Sequence, residues 1–201
     1  MTQSELYSKA MRCRDRTAGN ETQYSIFEDE DTVYLSIQGS VQKQDWLFNF
    51  MFWASPLIWK PYKKMKSLWF AHAGFSKAWK LARDQIGIEV TTAIAGHKKL
   101  VCLGYSHGAA LALLAHEYFT FAGIQTETHV FGCPRVLWLP SKTIRERFDN
   151  CHLYQNRGDI VTMVPFWLMG YRHVGHITKV GKCRFPSHIP HLDYSDTLKT
   201  L

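Results

Sequence analysis

Short apolar runs alternate along this chain with longer segments that have helical periodicity. Apolar residues at 75, 79, 82 and 86 recur at steps of three and four, which predicts an amphipathic helix over 75–87. The short apolar run at 101–103 is typical of a buried strand, and the Ala- and Leu-rich stretch at 109–116 favours a helix. Other runs predict strands at 24–27, 32–37, 127–131 and 151–155, and helices at 4–14 and 141–148.

This alternation of strands and helices predicts an α/β fold with a mainly parallel central sheet in three layers. The segments 24–27 and 32–37 are separated by four acidic residues and are predicted to form a hairpin. A second hairpin is predicted from 171–180 and 182–185, with Gly181 between them. Serine caps are expected at Ser4 and Ser141, Gly123 is expected to end the central helix, and His116 on that helix is expected to be exposed.

The composition is that of an ordinary globular protein. With 201 residues, 46% hydrophobic and 20% charged, the chain is expected to form a single domain over 1–201. A net charge of +7 favours either anionic surfaces such as phospholipid headgroups or simple solubility. No nucleic-acid partner is expected, because the one basic stretch, at 60–66, is short. The sequence gives no oligomeric state.

The cysteines and the first residues bear on metals and location. Five scattered cysteines without a C-x-x-C pair give no zinc motif, so no metal is expected. Residues 1–23 lack the apolar core of a signal peptide, and there is no run of about 18 apolar residues that would span a membrane. We therefore expect a cytoplasmic protein, with secretion as the alternative if a leader precedes this sequence in a longer chain.

A strongly apolar stretch at 45–62 contains three tryptophans, three phenylalanines and two prolines. It is too short to span a bilayer and is broken by proline, so one long helix is not expected. Two interpretations remain open. The stretch is either a core segment or, within 41–66, a lid that covers a site and meets lipid.

The G-Y-S-H-G sequence at 104–108 lies between a predicted strand and a predicted helix. This order is typical of a nucleophile elbow, in which a sharp turn lifts a serine out of the sheet edge. Gly104 and Gly108 leave room where neighbouring backbones come close. Although the pattern is short and also arises by chance, its context predicts that Ser106 is a nucleophile. Asp159 also follows a predicted strand, and sites in such sheets gather at the carboxyl ends of strands.

From about 24 to 194 the chain resembles the class 3 lipase family, the α/β-hydrolase group that includes the fungal triacylglycerol lipases, and the resemblance rests on seven motifs in the family's order. They are Q-G-S at 38–40 followed by D-W at 45–46, H-A-G-F at 72–75, G-Y-S-H-G at 104–108, F-G-C-P-R at 131–135, N-R-G-D-I-V-T-M-V-P at 156–165, G-Y-R-H-V-G at 170–175 and H-L-D-Y at 191–194.

The resemblance implies an α/β-hydrolase fold, with helices on both faces of the sheet, and a catalytic triad. Ser106 would be the nucleophile, His191 the base and Asp159 its acidic partner, in the chain order of α/β-hydrolases. The backbone N–H groups of Ser40 and His107 would form the oxyanion hole. This chemistry implies no cofactor. His188 is the second candidate for the base, and His191 is preferred because Tyr194 follows it at the family spacing.

The chain departs from the family pattern at two positions. Gln38 replaces the usual arginine, which removes a structural ion pair. His107 replaces a residue that is commonly leucine, which brings a titratable imidazole to the site and is expected to bend the pH profile. The chain is also shorter than the secreted fungal members.

The sequence therefore predicts a serine carboxylic-ester hydrolase, a lipase or esterase that acts on acylglycerols or related lipid esters through an acyl-enzyme. A lipid or small ester would be the substrate, and a lipid–water interface a partner. Two alternatives remain: a phospholipase A1-like acyl hydrolase, and a non-catalytic lipid-binding module on the same fold.

Overall fold

A computed structural model describes residues 1–11, 15–19, 22–38, 54–57, 69–94, 98–181, 191 and 194–199. The helices are α1 (Gln3–Met11), α2 (Ala73–Ala93), α3 (His107–Phe121), α4 (Lys142–Glu146) and α5 (Tyr194–Leu198). The strands are β1 (Arg16–Ala18), β2 (Thr22–Glu28), β3 (Thr32–Gln38), β4 (Ala54–Leu57), β5 (Trp69–His72), β6 (Lys99–Tyr105), β7 (Thr126–Phe131), β8 (Leu137–Trp138), β9 (Cys151–Asn156), β10 (Tyr171–Arg172) and β11 (His176–Val180).

The central sheet has seven strands in the order β1-β2-β3-β6-β7-β9-β11. The last five are parallel to their neighbours, whereas β1, β2 and β3 pair antiparallel. This confirms the mainly parallel sheet and the hairpin predicted near the N-terminus. Because parallel strands end at the same edge, the residues that follow β6, β9 and β11 are brought together there.

Alternate residues along the strands point to opposite faces of the sheet and pack into two separate hydrophobic cores, one on each face. On β3, Val33, Leu35 and Ile37 belong to the core that includes α2 and α3, whereas Tyr34 belongs to the core that includes α1 and α5. The prediction of helices on both faces is therefore confirmed. Helix α3 is buried nearly all round, which suits its almost uninterrupted Ala and Leu content.

Two predictions about helices are corrected by local contacts. The first helix is capped by Thr2 and not by Ser4, since the Thr2 hydroxyl accepts from the Glu5 N–H at 3.2 Å. The Glu5 carboxylate in turn accepts from the Thr2 N–H at 2.7 Å, which completes a capping box. His116 was expected to be exposed and is fully buried (0% exposed), because the sheet and α4 region cover both sides of α3.

The segment predicted as one strand at 171–180 is divided between two sheets. Its first residues form β10, which pairs with β8 in a second sheet of order β10-β8-β5-β4. Its last residues form β11, which pairs parallel with β9. Gly175 separates them with a φ of 82°, a conformation that glycine adopts readily. The other half of the predicted hairpin, 182–185, lies outside the described residues.

A membrane-spanning helix is not present in the described part of the chain. The segment 41–66 also lies outside the described residues, apart from β4, so the lid stays a prediction.

Candidate active site

The turn between β6 and α3 places Ser106 in an uncommon backbone conformation. Its φ of 55° and ψ of −119° are rarely adopted by residues with side chains, and the residue is only 9% exposed. The Ser106 N–H donates to the Phe131 carbonyl oxygen at 2.9 Å, which ties the turn to the end of β7. This is the geometry expected of a nucleophile elbow.

Glycine is required on both sides of Ser106 by close backbone approaches. A Cβ on Gly104 would lie 2.5 Å from the Gly108 carbonyl oxygen. A Cβ on Gly108 would overlap the carbonyl oxygen of Ile37 on β3. The two glycines of the G-x-S-x-G motif therefore allow strand, turn and helix to pack without a side chain between them.

Three of the predicted site residues form one chain of hydrogen bonds. The Ser106 hydroxyl lies 3.0 Å from His191 Nε2, and His191 Nδ1 lies 2.9 Å from Asp159 Oδ2. Since a carboxylate only accepts, Nδ1 carries the proton of the neutral ring and Nε2 is left to accept from the serine hydroxyl. The arrangement is that of a Ser-His-Asp triad.

The Asp159 carboxylate is almost completely buried (1% exposed) and is held by three donors. Oδ1 accepts from the Val161 N–H at 2.9 Å, while Oδ2 accepts from both His191 and the Tyr194 hydroxyl, the latter at 2.8 Å. The Tyr194 oxygen accepts in turn from the Asn156 N–H at 2.8 Å. These bonds replace the water that a buried carboxylate loses, and they fix the plane of the group.

Tyr105 supports His191 from below, a role that the sequence did not suggest. Its ring stacks on the imidazole at 4.9 Å, and its hydroxyl donates to the His191 carbonyl oxygen at 2.5 Å. Burial raises the pKa of the Tyr105 phenol, so the hydroxyl remains a donor at neutral pH. The residue lies inside the G-Y-S-H-G motif, but nothing in the motif indicates where its side chain points.

Gly132 supports the same histidine from another side. Its φ is 57°, and a Cβ there would lie 2.9 Å from His191 Cε1 and 3.3 Å from Asp159 Oδ2. The F-G-C-P-R motif contains this glycine, and the structure now gives a physical reason for it. A side chain at 132 would push on the imidazole and on the carboxylate together.

The His107 side chain lies against helix α2. Its ring packs against Phe75 with centroids 5.4 Å apart, and its Nδ1 atom is buried without a hydrogen-bond partner among the described residues. Burial lowers the pKa of the His107 imidazole to about 4, with a smaller contribution from His72. The imidazole is therefore neutral at pH 7, so the effect on the pH profile predicted for it is expected only in acidic solution, near pH 4. Its backbone N–H belongs to the first turn of α3, where N–H groups have no partner within the helix.

Two other predicted candidates, Ser40 and His188, lie outside the described residues, so both stay predictions. Gln38 is described, and its Nε2 donates to the carbonyl oxygens of Ala10 and Met11 at 3.2 and 2.9 Å. An amide therefore binds the end of α1 at the position where the family has an arginine. A carbonyl at a helix C-terminus suits a neutral donor as well as a cation.

His72 and His173, the histidines of the H-A-G-F and G-Y-R-H-V-G motifs, both have structural contacts. His72 Nδ1 accepts from the Gly74 N–H at 3.2 Å and so caps α2. His173 Nε2 lies 2.8 Å from the Thr162 carbonyl oxygen, in the turn that follows Asp159.

The chain is similar in sequence and in fold to known lipases. The secreted mono- and diacylglycerol lipase 1 of Fusarium solani is 25% identical over 144 residues, which are 70% of this chain and 41% of that protein. A mutant form of MDLA from Penicillium cyclopium superposes with a TM-score of 0.67 and 24% identity, over 82% of this chain and 61% of that one. A triacylglycerol lipase with a serine protease triad at its catalytic centre superposes with a TM-score of 0.68 and 19% identity, over 83% of this chain and 65% of that one.

The structural matches show the α/β-hydrolase fold, and the chain spans less than half the length of the Fusarium relative. A family model described as Lipase (class 3) matches residues 34–169, which is more than half of the chain. The matched part contains most of β3, the elbow, the Asp159 turn and the strands between them. The chain therefore belongs to the class 3 lipase family.

Proposed function

We propose that this chain is a serine carboxylic-ester hydrolase that acts on acylglycerols or related lipid esters. The hydrogen-bond chain from Ser106 through His191 to Asp159, set on a nucleophile elbow, is the observation that carries the proposal. A serine hydroxyl is a weak nucleophile unless a base accepts its proton, and here the base lies within hydrogen-bond distance. Relatives named as lipases support the same class of reaction.

The reaction would proceed in two steps. Ser106 Oγ attacks the ester carbonyl carbon while His191 Nε2 takes the hydroxyl proton, and the imidazolium then gives that proton to the departing alcohol. Water attacks the resulting acyl-serine by the same route and releases the carboxylic acid. Asp159 stabilises the imidazolium through Nδ1 and keeps the ring in the required tautomer.

The oxyanion formed in each step needs donors that are already in place. We assign this role to the His107 N–H at the start of α3, where the helix dipole also favours negative charge. The Ser40 N–H, predicted from the sequence, would be the second donor. One such donor is worth about 3–4 kcal/mol of barrier in serine hydrolases.

An apolar surface beside the triad favours lipid esters over small soluble esters. The 3-10 turn Ile160–Met163 follows Asp159 directly, and the turn Trp167–Met169 comes shortly after it. Four of their apolar side chains are exposed: Ile160, Met163, Trp167 and Leu168. Leu168 is 78% and Trp167 58% exposed. Exposed apolar groups in this number are typical of an interaction site, and a lipid–water interface is the partner that fits an acylglycerol substrate.

The test of function is the Ser106→Ala variant. Wild-type protein should hydrolyse p-nitrophenyl butyrate, and Ser106→Ala should lose at least about 10³-fold in kcat because the nucleophile is absent. Near- and far-UV circular dichroism of both proteins controls for folding. A folded Ser106→Ala variant that keeps substantial activity would show that another residue carries the reaction.

Two other functions are distinguished by the substrate that is turned over. Release of fatty acid from phosphatidylcholine vesicles, but not from diacylglycerol micelles, would identify the phospholipase A1-like alternative. No hydrolysis of any ester by folded protein that binds lipid would identify a non-catalytic module. A rate that rises sharply when diacylglycerol forms micelles is the result expected for a lipase. The cytoplasmic location stays a prediction, and the Fusarium relative is named as a secreted protein.

A further inference from the structure

Three histidines lie side by side across neighbouring strands of the central sheet. His129 on β7 is in register with His152 on β9, which is in register with His176 on β11. Their rings stack in sequence, with centroids 4.8 Å apart for the first pair and 5.8 Å for the second. They lie on the face of the sheet that also carries Phe131 and Tyr154. The row is separate from the triad, which uses residues beyond the strand ends.

An acidic side chain completes a group of potential metal ligands on this face. Glu127 is two residues before His129, so both side chains point to the same side of β7. The ligand atoms of Glu127, His129 and His152 all lie within 4.8 Å of one another. Glu127 Oε1 is 2.8 Å from His129 Nε2 and 3.9 Å from His152 Nε2.

We propose that Glu127, His129 and His152 bind a divalent transition-metal ion, with Zn²⁺ as the preferred ion. Imidazole nitrogen and carboxylate oxygen are ligands that zinc takes readily, and water would fill the fourth position. Ligand atoms about 2.0–2.2 Å from a tetrahedral ion lie about 3.4 Å from one another. The observed separations bracket that value, so small side-chain rotations are enough to close the site.

Burial and hydrogen bonding prepare His129 for this role. The residue is 9% exposed, and its Nδ1 lies 3.2 Å from the Tyr154 hydroxyl, which is able to donate or accept. When a metal binds Nε2, the single N–H of the neutral ring is at Nδ1, and the Tyr154 hydroxyl oxygen accepts a hydrogen bond from it. A second partner of this kind fixes the ring orientation in known metal sites.

One neighbouring cation opposes the metal and sets a limit on affinity. Lys99 Nζ lies 3.7 Å from the other carboxylate oxygen, Glu127 Oε2, and is about half exposed. Its flexible side chain can turn into solvent when a divalent ion neutralises the carboxylate. The bound ion would link β7 to β9 and stabilise the folded chain without entering the ester chemistry.

The test measures Zn²⁺ binding to chelator-treated protein by isothermal titration calorimetry, with thermal denaturation as a second readout. His152→Ala and Glu127→Gln change partly exposed side chains, so both are expected to fold. Two controls are His176→Ala, which removes the neighbouring ring, and His191→Ala, which removes the histidine of the triad. Mg²⁺ serves as the control ion, because it prefers oxygen ligands.

Zn²⁺ should bind with similar affinity, one ion per chain, to wild type, His176→Ala and His191→Ala, and should raise the melting temperature of each. It should bind at least tenfold more weakly to His152→Ala and Glu127→Gln and should leave their melting temperatures unchanged. The proposal would be overturned by absent Zn²⁺ binding in the wild type. It would equally be overturned by unchanged binding in His152→Ala and Glu127→Gln, or by loss of binding in His191→Ala alone.

Discussion

The Tyr194 hydroxyl donates a hydrogen bond, at 2.8 Å, to the same Asp159 oxygen, Oδ2, that accepts the hydrogen bond of His191 Nδ1. One carboxylate oxygen is thus fixed by two donors, and the phenol that supplies one of them is fully buried. Burial and the adjacent carboxylate raise the pKa of Tyr194, so the phenol stays protonated. The tyrosine therefore acts as a positioning residue for the acid of the proposed triad.

Replacing Tyr194 by phenylalanine should lower kcat by about tenfold, because a hydrogen bond to a charged group contributes about 1.5–3 kcal/mol and only part of this acts in the transition state. KM should change little, since Tyr194 lies behind the carboxylate. The measurement is steady-state hydrolysis of p-nitrophenyl butyrate.

Tyr7→Phe is the matched control for that variant. Tyr7 is buried in the same core, and its ring stacks on Tyr194 with centroids 6.2 Å apart. It makes no contact with Asp159 among the described hydrogen bonds. If Tyr7→Phe and Tyr194→Phe lost the same fraction of kcat, the effect would be one of packing and the positioning role would be wrong.

A second prediction concerns Gly132, where a methyl group would meet the imidazole of His191. Gly132→Ala should lower kcat by about 10- to 100-fold, because displacements of this size at a catalytic group have costs of that order. Gly123→Ala is the control, since Gly123 also has a positive φ, of 84°, but has nothing within 4 Å of its Cβ position. Both variants should lose about 1–2 kcal/mol of stability from the left-handed backbone conformation. Comparable activity losses in the two variants would show that backbone strain, and not contact with His191, is responsible.

Acid stability provides a third prediction, through His116. Its Nε2 donates to the Arg147 carbonyl oxygen at 3.0 Å, so Nδ1 is the atom that accepts from Thr128 Oγ1 at 2.9 Å. Burial lowers the pKa of His116 to about 4, below its ordinary value of 6.5. The unfolded chain therefore binds the proton more readily, and stability falls as the pH drops from 6.5 to 4.

The expected loss from His116 is about 2–3 kcal/mol between pH 7 and pH 4.5. His116→Gln keeps one donor and one acceptor but does not titrate. The free energy of unfolding, from urea titrations at the two pH values, should fall less in His116→Gln than in wild type by about that amount. An equal fall in both proteins would mean that His116 is not the group that takes up the proton.

The sequence predicted those features that depend on local pattern. The strand and helix around Ser106 were predicted from apolar runs and from Ala and Leu content, and the pairing of that serine with Asp159 and His191 came from the order of the family motifs. Ser106 and Asp159 are 53 positions apart in the chain, and Asp159 and His191 are 32 apart. They meet because parallel strands end at the same edge of the sheet. The elbow could be predicted from the local sequence alone, without knowledge of distant contacts.

Features that depend on what covers a segment were missed for a physical reason. His116 was expected to be exposed because a polar residue in a helix usually faces solvent. In the structure α3 is covered on both sides, and the partners of the His116 ring are on β7 and at the end of α4. The division of 171–180 between two sheets and the place of Tyr105 under His191 likewise follow from distant partners. No short pattern in the sequence contains those partners. The row of Glu127, His129 and His152 was missed because its third member is on another strand.

The most direct test of the central claim is covalent labelling of Ser106. A fluorophosphonate reacts with a serine hydroxyl only where a base and an oxyanion site activate it. Intact and peptide mass spectrometry should find one adduct per wild-type chain, on Ser106, and none on a folded Ser106→Ala variant. Folded wild-type protein that remains unlabelled, or an adduct that persists in Ser106→Ala, would contradict the assignment of this chain as a serine hydrolase.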